Sequence, residues 1–235
     1  MKILVIGSKG QLGSEIKDIA LNFKDFNFIF KDLPELNICK KDSLNTFILN
    51  QNINLVINCA AYTAVDKAEE NNEAAELVNS IGVSNIVKAL EKVKGKLIHI
   101  STDYVFNGNN SEPYKESDPV SPIGVYAETK RAGELAVINT DIDAIVIRTS
   151  WLYSAYGNNF VKTMLRLASK MSTLSVVADQ TGSPTYTRHL ALFILNIIDS
   201  ESKDYGVYHY SNDGEISWFE FAKSIRELYN LDCKI

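Results

Sequence analysis

An α/β fold with a doubly wound parallel sheet is predicted by three observations. Short apolar runs alternate with longer stretches of helical periodicity, the connections between them are brief, and a glycine-rich turn follows the first apolar run at once. Residues 2–6 (Lys-Ile-Leu-Val-Ile) read as a strand buried on both faces, and residues 10–22 as a helix with Leu12, Ile16 and Ile19 on one side. A second strand is expected over residues 26–30, a helix over 42–50 with Leu44, Phe47 and Ile48 grouped, and a third strand over 54–58. Steps of three and four through Ala74, Leu77, Val78, Ile81, Ile86, Leu90 and Val93 predict one long helix over 72–93. A fourth strand over 96–100, a helix over 124–139 and a fifth strand over 143–148 complete the alternation. Right-handed crossovers then put helices on both faces of the sheet. After Arg148 the pattern loosens: helices are expected over 158–170, 187–199 and 217–229, and a strand over 205–210. The longest loop, 107–123, holds three of the five prolines, and a loop of that length is more often functional than idle.

Composition narrows the function. The 235 residues suit one large domain, or a domain with a small lobe. Hydrophobic residues at 46% and charged residues at 23% are ordinary globular usage, a poor fit to disorder, collagen or coiled coil. The 24 basic and 29 acidic residues give a net charge of −5, and no Lys/Arg run supplies the concentrated positive charge that duplex DNA needs, so no nucleic-acid partner is expected. No stretch approaches the roughly 18 apolar residues of a membrane span. The opening apolar run is too short for a signal peptide, so a cytoplasmic location without a membrane partner is expected. Cys39, Cys59 and Cys233 are an odd number without ligand spacing and read as free thiols; His99, His189 and His209 are scattered and predict no metal centre.

Three constellations carry chemistry. Gly7-Ser8-Lys9-Gly10-Gln11-Leu12-Gly13 spaces its glycines as GxxGxxG between the first strand and the first helix. Such a turn lets a pyrophosphate approach backbone N–H groups at a helix N-terminus, where the partial charge is positive. About 20 residues on, Lys31-Asp32 closes the second strand, where a carboxylate would grip an adenine-ribose hydroxyl and an ammonium would attract a 2′-phosphate; the pair leaves NADH and NADPH both open. Ser101-Thr102-Asp103-Tyr104-Val105-Phe106 follows the fourth strand, so the Thr102 hydroxyl lies at the ligand-binding edge of such a sheet. Tyr126 and Lys130 stand four apart on one helix face. The ammonium is expected to lower the pKa of the phenol from about 10 toward neutrality, tuning a proton donor for a carbonyl oxygen.

On these residues the chain resembles the extended short-chain dehydrogenase/reductases. It is more closely similar to the dTDP-4-dehydrorhamnose reductase family through Gly10 to Gly13, Asn58 to Glu69, Ser101 to Phe106, Arg148 to Tyr153, Gly157 to Met164 and Asp179 to Thr185. The resemblance covers residue 1 to about residue 222. It implies a Rossmann-like NAD(P)-binding domain over residues 1–150. Residues 151–235 would combine a small C-terminal substrate-binding lobe with elements that return to the sheet. The implied reaction is reduction of the 4-keto group of dTDP-4-dehydro-L-rhamnose by NADPH or NADH.

In that scheme Tyr126 donates the proton, Lys130 tunes it and holds the nicotinamide ribose, and Thr102 bonds the substrate. Gly7, Gly10, Gln11, Leu12 and Gly13 meet the pyrophosphate, Asp32 the adenine ribose, and Ala61, Tyr62 and Thr63 line the cofactor cleft. Asp103, Trp151 and Asn158 contact the sugar nucleotide. Related dehydratases carry Thr-Asp-Glu where this chain has Thr102-Asp103-Tyr104, which argues against dehydration. Two alternatives stay open: another reductase of nucleotide-linked 4-keto-6-deoxy sugars, and a non-catalytic NADP-binding subunit like the β subunit of methionine adenosyltransferase. Some members hold magnesium through glutamates at a dimer contact. Glu15 matches one such position but Arg188 stands at another, so no metal is predicted, while a homodimer is left open. Members usually run beyond the point where this chain ends, so part of the substrate pocket is expected to lie outside it.

Overall fold

The computed structural model describes residues 1–235. Its centre is a six-stranded, wholly parallel sheet in the order β2 (Asn27–Lys31), β1 (Lys2–Ile6), β3 (Leu55–Asn58), β4 (Lys96–Thr102), β5 (Ala144–Thr149) and β9 (Gly206–His209). The period of two explains why the strands read as unbroken apolar runs. Leu4, Ile6, Val56, Leu97 and Val146 point into one core; Ile3, Val5, Ile57, Ile98, Ile145 and Ile147 point into the other. Each fully buried isoleucine or leucine contributes about 1.5–3 kcal/mol through removal of apolar surface from water.

The first core is covered by α2 (Lys41–Asn50) and α5 (Gly82–Val93), with Val137 of α6 (Val125–Ile138) at its edge. The second is covered by α1 (Gln11–Ile19) and α8 (Thr187–Asp199), whose Leu190, Ala191, Ile194, Leu195 and Ile198 form one apolar stripe. Chain order turns back between β1 and β3, so the carboxyl ends of these two strands flank a topological switch point, where ligands enter sheets of this kind.

The helix expected over 72–93 forms without a break but carries a π-helical turn inside it. α4 (Asn72–Glu76) passes through a π-helical turn at Leu77–Ile81 before α5, and α3 (Val65–Glu70) precedes it unforeseen. The π turn shifts the helix face. Leu77 and Ile81, assigned to the core by a strict 3.6 period, are 42% and 44% exposed, and Asn79 is buried in their place.

Beyond residue 150 the chain divides its contributions. α8 and β9 belong to the main sheet's packing, while α7 (Phe160–Ala168) and α9 (Trp218–Leu228) close a separate small core with Met164, Leu174, Ala222, Ile225 and Cys233. Four two-residue strands stitch this region together: β6 (Leu152–Tyr153) pairs with β8 (Thr185–Tyr186), and β7 (Thr181–Gly182) with β10 (Ile216–Ser217). Ser217 and Glu220 form a reciprocal capping box that starts α9.

Candidate active site

The glycine turn is set by backbone crowding. Gly7 has φ +75°, and a Cβ there would lie 2.6 Å from Ala60 N across the switch point; one at Gly13 would collide with the Gly7 carbonyl. Gly10 differs. Only the Gly7 carbonyl, at 3.3 Å, would face its Cβ, and it caps α1 without a side chain. The first helical return bond runs from Ser14 N to Gly10 O at 3.0 Å, so the N–H groups of Gln11, Leu12 and Gly13 point out of the helix end. This cradle fits a pyrophosphate. Asp32 sits beside it, its carboxylate accepting from Lys9 N and Leu33 N at 2.8 and 2.7 Å, while Lys9 and Lys31 both reach Glu35.

Ala61, Tyr62 and Thr63 follow β3 on the other side of the switch point, held by a residue not foreseen. The buried Asn79 accepts from Tyr62 N at 2.8 Å and donates to Tyr62 O at 3.1 Å and to Thr129 Oγ1 at 3.2 Å. It thereby ties this loop to α6. The sequence signal was a lone amide in an apolar helical stripe. Glu69 of α3 was missed as well; its carboxylate accepts from Val125 N at 2.8 Å and caps the start of α6 beside Gly124, φ +82°.

Thr102 ends β4 and joins the start of α6. Its hydroxyl accepts from Tyr104 N at 3.2 Å and donates to Asp103 Oδ1 at 3.1 Å; the Tyr104 ring meets the Tyr126 ring edge-on at 5.7 Å. Burial raises the Asp103 carboxyl to about 6 despite hydrogen bonds that favour its charge. The expected tuning of Tyr126 is corrected here. Burial pushes its phenol up to about 12, hydrogen bonding with Thr102 pulls against that, and Asp103 adds to the rise. Lys130 does not act on the phenol because its Nζ is directed to the Ile100 carbonyl at 2.6 Å. Lys130 itself is lowered to about 8 by burial, with Glu134 and Cys59 opposing. Desolvation raises the half-buried Cys59 thiol to about 12, which leaves it unreactive.

A polar seam crosses the sheet beneath α6. Asn58 Nδ2 donates to His99 Nδ1 at 3.2 Å, and further along lies a nearly water-free ion pair between Glu134 (0% exposed) and Arg148 (4%). Arg148 Nε and Nη2 grip the two carboxylate oxygens at 2.8 and 2.9 Å, and Arg131 adds a third contact at 2.7 Å. On its other side the Arg148 guanidinium lies 5.1 Å over the Phe106 ring, which stacks on Tyr114 at 4.2 Å. His209 Nδ1 donates to the Tyr114 carbonyl and His209 N to Glu116 Oε1, so β9 pins the loop of residues 107–123 to the sheet.

That loop walls a cavity of about 1060 Å³ that also takes in Asp103, Tyr104, Arg148, Trp151, Gln180, Asp213 and Trp218. Trp151 has φ +46° and stacks on Trp218 at 3.4 Å; a Cβ at Gly182 would come within 2.8 Å of its indole. Asn158 is exposed and outside the cavity wall. Its neighbour Asn159 caps α7 through Lys162 N and donates to Gln11 Oε1 at 3.1 Å, so Asn159 ties the start of α7 to the glycine turn.

A family model described as the RmlD substrate binding domain matches residues 1–234. The chain belongs to the dTDP-4-dehydrorhamnose reductase family. It is 39% identical over 228 residues to the dTDP-4-dehydrorhamnose reductase of Aggregatibacter actinomycetemcomitans, covering 95% of this chain and 78% of the relative. Its fold matches the crystal structure of a Clostridium acetobutylicum dTDP-4-dehydrorhamnose reductase with TM-score 0.95 and 43% identity, over 100% of this chain and 82% of that one. The Bacillus anthracis dTDP-4-dehydrorhamnose reductase, solved in complex with NADP, also matches with TM-score 0.95, at 41% identity over 99% and 83%.

The family setting bears on Glu15. This carboxylate is 2% exposed; it accepts from Ser154 Oγ at 2.6 Å and from Arg188 Nη1 at 3.2 Å. A fixed guanidinium therefore neutralises it, and no group of three or more His, Cys, Asp or Glu side chains is arranged to hold a metal ion. No helix is long and apolar enough to cross a membrane.

Proposed function

We propose that this chain reduces the 4-keto group of dTDP-4-dehydro-L-rhamnose to dTDP-L-rhamnose with NADPH or NADH, in the cytoplasm, for surface polysaccharide. One observation carries the reading: where β4 ends and α6 begins, Thr102 bonds Asp103 and Tyr126 packs edge-on against Tyr104, and Asp103 and Tyr104 line the large polar cavity. The cytoplasmic assignment rests on three cysteines that stand as free thiols. A homodimer belongs to the same proposal and is supported by the exposed Leu135 and Ile138 on α6; sedimentation equilibrium tests it.

The N–H groups of Gln11, Leu12 and Gly13 hold the pyrophosphate, Asp32 takes an adenine-ribose hydroxyl on its remaining lone pairs, and the Ala61–Thr63 loop lines the cleft. When bound, the reduced nicotinamide supplies a hydride to the carbonyl carbon. Tyr126 keeps its proton throughout the neutral range because its pKa is about 12, and releases it to the carbonyl oxygen as negative charge develops there. Thr102 hydrogen-bonds the same oxygen. Lys130 holds the nicotinamide ribose. Trp151 gives the sugar nucleotide a flat apolar wall.

The test is loss of NADPH absorbance on adding the keto sugar, with the product's configuration read by NMR. Stereospecific formation of dTDP-L-rhamnose is expected. Cofactor binding without turnover would favour a regulatory subunit, and a different configuration another keto-sugar reductase.

Asp103 adds a pH signature. Below about pH 6 it gains a proton, and the negative charge that opposes tyrosinate formation is lost. The rate at saturating substrate is expected to rise as pH falls through 6, by less than about tenfold, the equivalent of one pKa unit. In Asp103→Asn that rise is absent; a variant profile that still rises through pH 6 would assign it elsewhere.

A further inference from the structure

Trp151 holds a backbone conformation that a bulky side chain resists. Its φ of +46° lies in the left-handed region, where the Cβ of an L-residue crowds the following carbonyl. Such a conformation persists only where its surroundings over-determine it, and it concentrates at ligand clamps. Trp151 lines the large cavity, so whatever fixes its ring also shapes that wall.

Two neighbours fix the ring. Trp218 lies flat on it, with ring centroids 3.4 Å apart and planes 11° from parallel. Full face-to-face overlap is less favoured than an offset or edge-on pair, so the contact is imposed by the anchoring of the two residues. Gly182 leaves room for the indole: a Cβ there would stand 2.8 Å from Trp151 Cε2 and 3.1 Å from its Nε1. Trp218 is anchored from elsewhere. It is the first residue of α9, directly behind the Ser217–Glu220 capping box. Its N–H donates to the Gln180 carbonyl at 3.3 Å, and Phe160 of α7 leans on its ring at 4.4 Å. The Trp151 carbonyl in turn accepts from Thr185 N at 3.2 Å. An aromatic ladder thus runs from the small core of α7 and α9 to the cavity.

We propose that Trp218 is a positioning residue for the sugar nucleotide: stacked on Trp151, it holds that residue's indole in the cavity wall and so sets the affinity for the nucleotide sugar. This inference rests on the binding role given to Trp151 above. Trp218 stands on α9, whereas Tyr126 and Lys130 stand on α6. A wall of this kind binds substrate and transition state alike, so its loss raises KM and leaves kcat.

The experiment compares wild type, Trp218→Leu, Trp218→Phe and Gly182→Ala. It reads the Kd for dTDP-L-rhamnose and for NADPH by calorimetry, and KM and kcat for the keto sugar; thermal melts verify folding. Trp218→Leu is expected to raise both KM and the dTDP-L-rhamnose Kd at least about tenfold, with kcat within about twofold and NADPH affinity unchanged. Trp218→Phe keeps an aromatic face for Trp151 and should recover most of the loss. Gly182→Ala leaves Trp218 in place but displaces the Trp151 indole, so it should reproduce the leucine variant's signature. Wild-type KM and Kd in folded Trp218→Leu would overturn the proposal. Normal binding by Gly182→Ala would overturn it as well, and decides the matter if the leucine variant does not fold. A wild-type protein that binds dTDP-L-rhamnose but leaves the keto sugar unreduced sinks the reductase reading alone, and the calorimetry still ranks the variants. A wild-type protein that does not bind dTDP-L-rhamnose overturns both.

Discussion

Tyr126→Phe is expected to lower kcat by about two to four orders of magnitude, the usual contribution of a positioned general acid. NADPH affinity should stay close to that of the parent. The substitution removes one oxygen and its proton, and the ring remains available to the edge-on contact with Tyr104 at 5.7 Å. The fold loses little, because the buried hydroxyl's partner Thr102 keeps its bonds to Tyr104 N and Asp103. Stopped-flow and steady-state assays with the keto sugar, set beside a calorimetric NADPH titration, separate the two effects. Turnover near the parent's would remove Tyr126 from the chemistry. A joint loss of binding and rate would mean that the hydroxyl helps to hold the cofactor as well as supplying the proton.

Gly7→Ala is expected to destabilise the protein on the order of 3 kcal/mol, since overpacking and a left-handed backbone combine at one site. The methyl would stand 2.6 Å from Ala60 N, 2.7 Å from Cys59 C and 2.9 Å from Ala60 Cα, all main chain, at φ +75°. No side chain can rotate away to relieve it, so β1 and β3 must part at the switch point. For a chain of this length the melting temperature should fall by about 6–12 °C. Gly10→Val is the informative partner. Its Cβ faces only the Gly7 carbonyl at 3.3 Å, so the variant should melt close to the parent, yet the branched side chain covers the helix end and NADPH affinity should drop at least about tenfold. Equal melting temperatures for Gly7→Ala and the parent would show that the turn yields more easily than its packing suggests.

The sheet was legible because a strand buried on both faces requires an unbroken apolar run, and β1, β3 and β5 have one. The glycine turn was legible for a similar reason: its spacing answers a local steric demand. Contacts between distant segments were not. α3 buries little beyond Ala68 and leaves no apolar stripe to read. The π turn is invisible to a fixed period, so Leu77 and Ile81 were placed on the wrong side and Asn79 was overlooked. The pairing of Tyr126 with Lys130 failed electrostatically for a related reason. Helical spacing fixes where two side chains start, whereas the head group of a lysine goes to the acceptor that the tertiary fold offers, here the Ile100 carbonyl. Sequence alone does not say which of the adjacent amides Asn158 and Asn159 turns inward to Gln11.

The paired indoles of Trp151 and Trp218 have a practical consequence. They are the chain's two tryptophans, and their planes lie within 11° of parallel. One follows the fifth strand directly and the other begins the last helix, so the spectroscopy of the whole molecule is concentrated at the junction between sheet edge and lobe. Rings so close share their excited state. Intrinsic emission and near-ultraviolet circular dichroism thus form a label-free gauge of that junction, one that a sugar nucleotide sliding between or beside the rings must disturb.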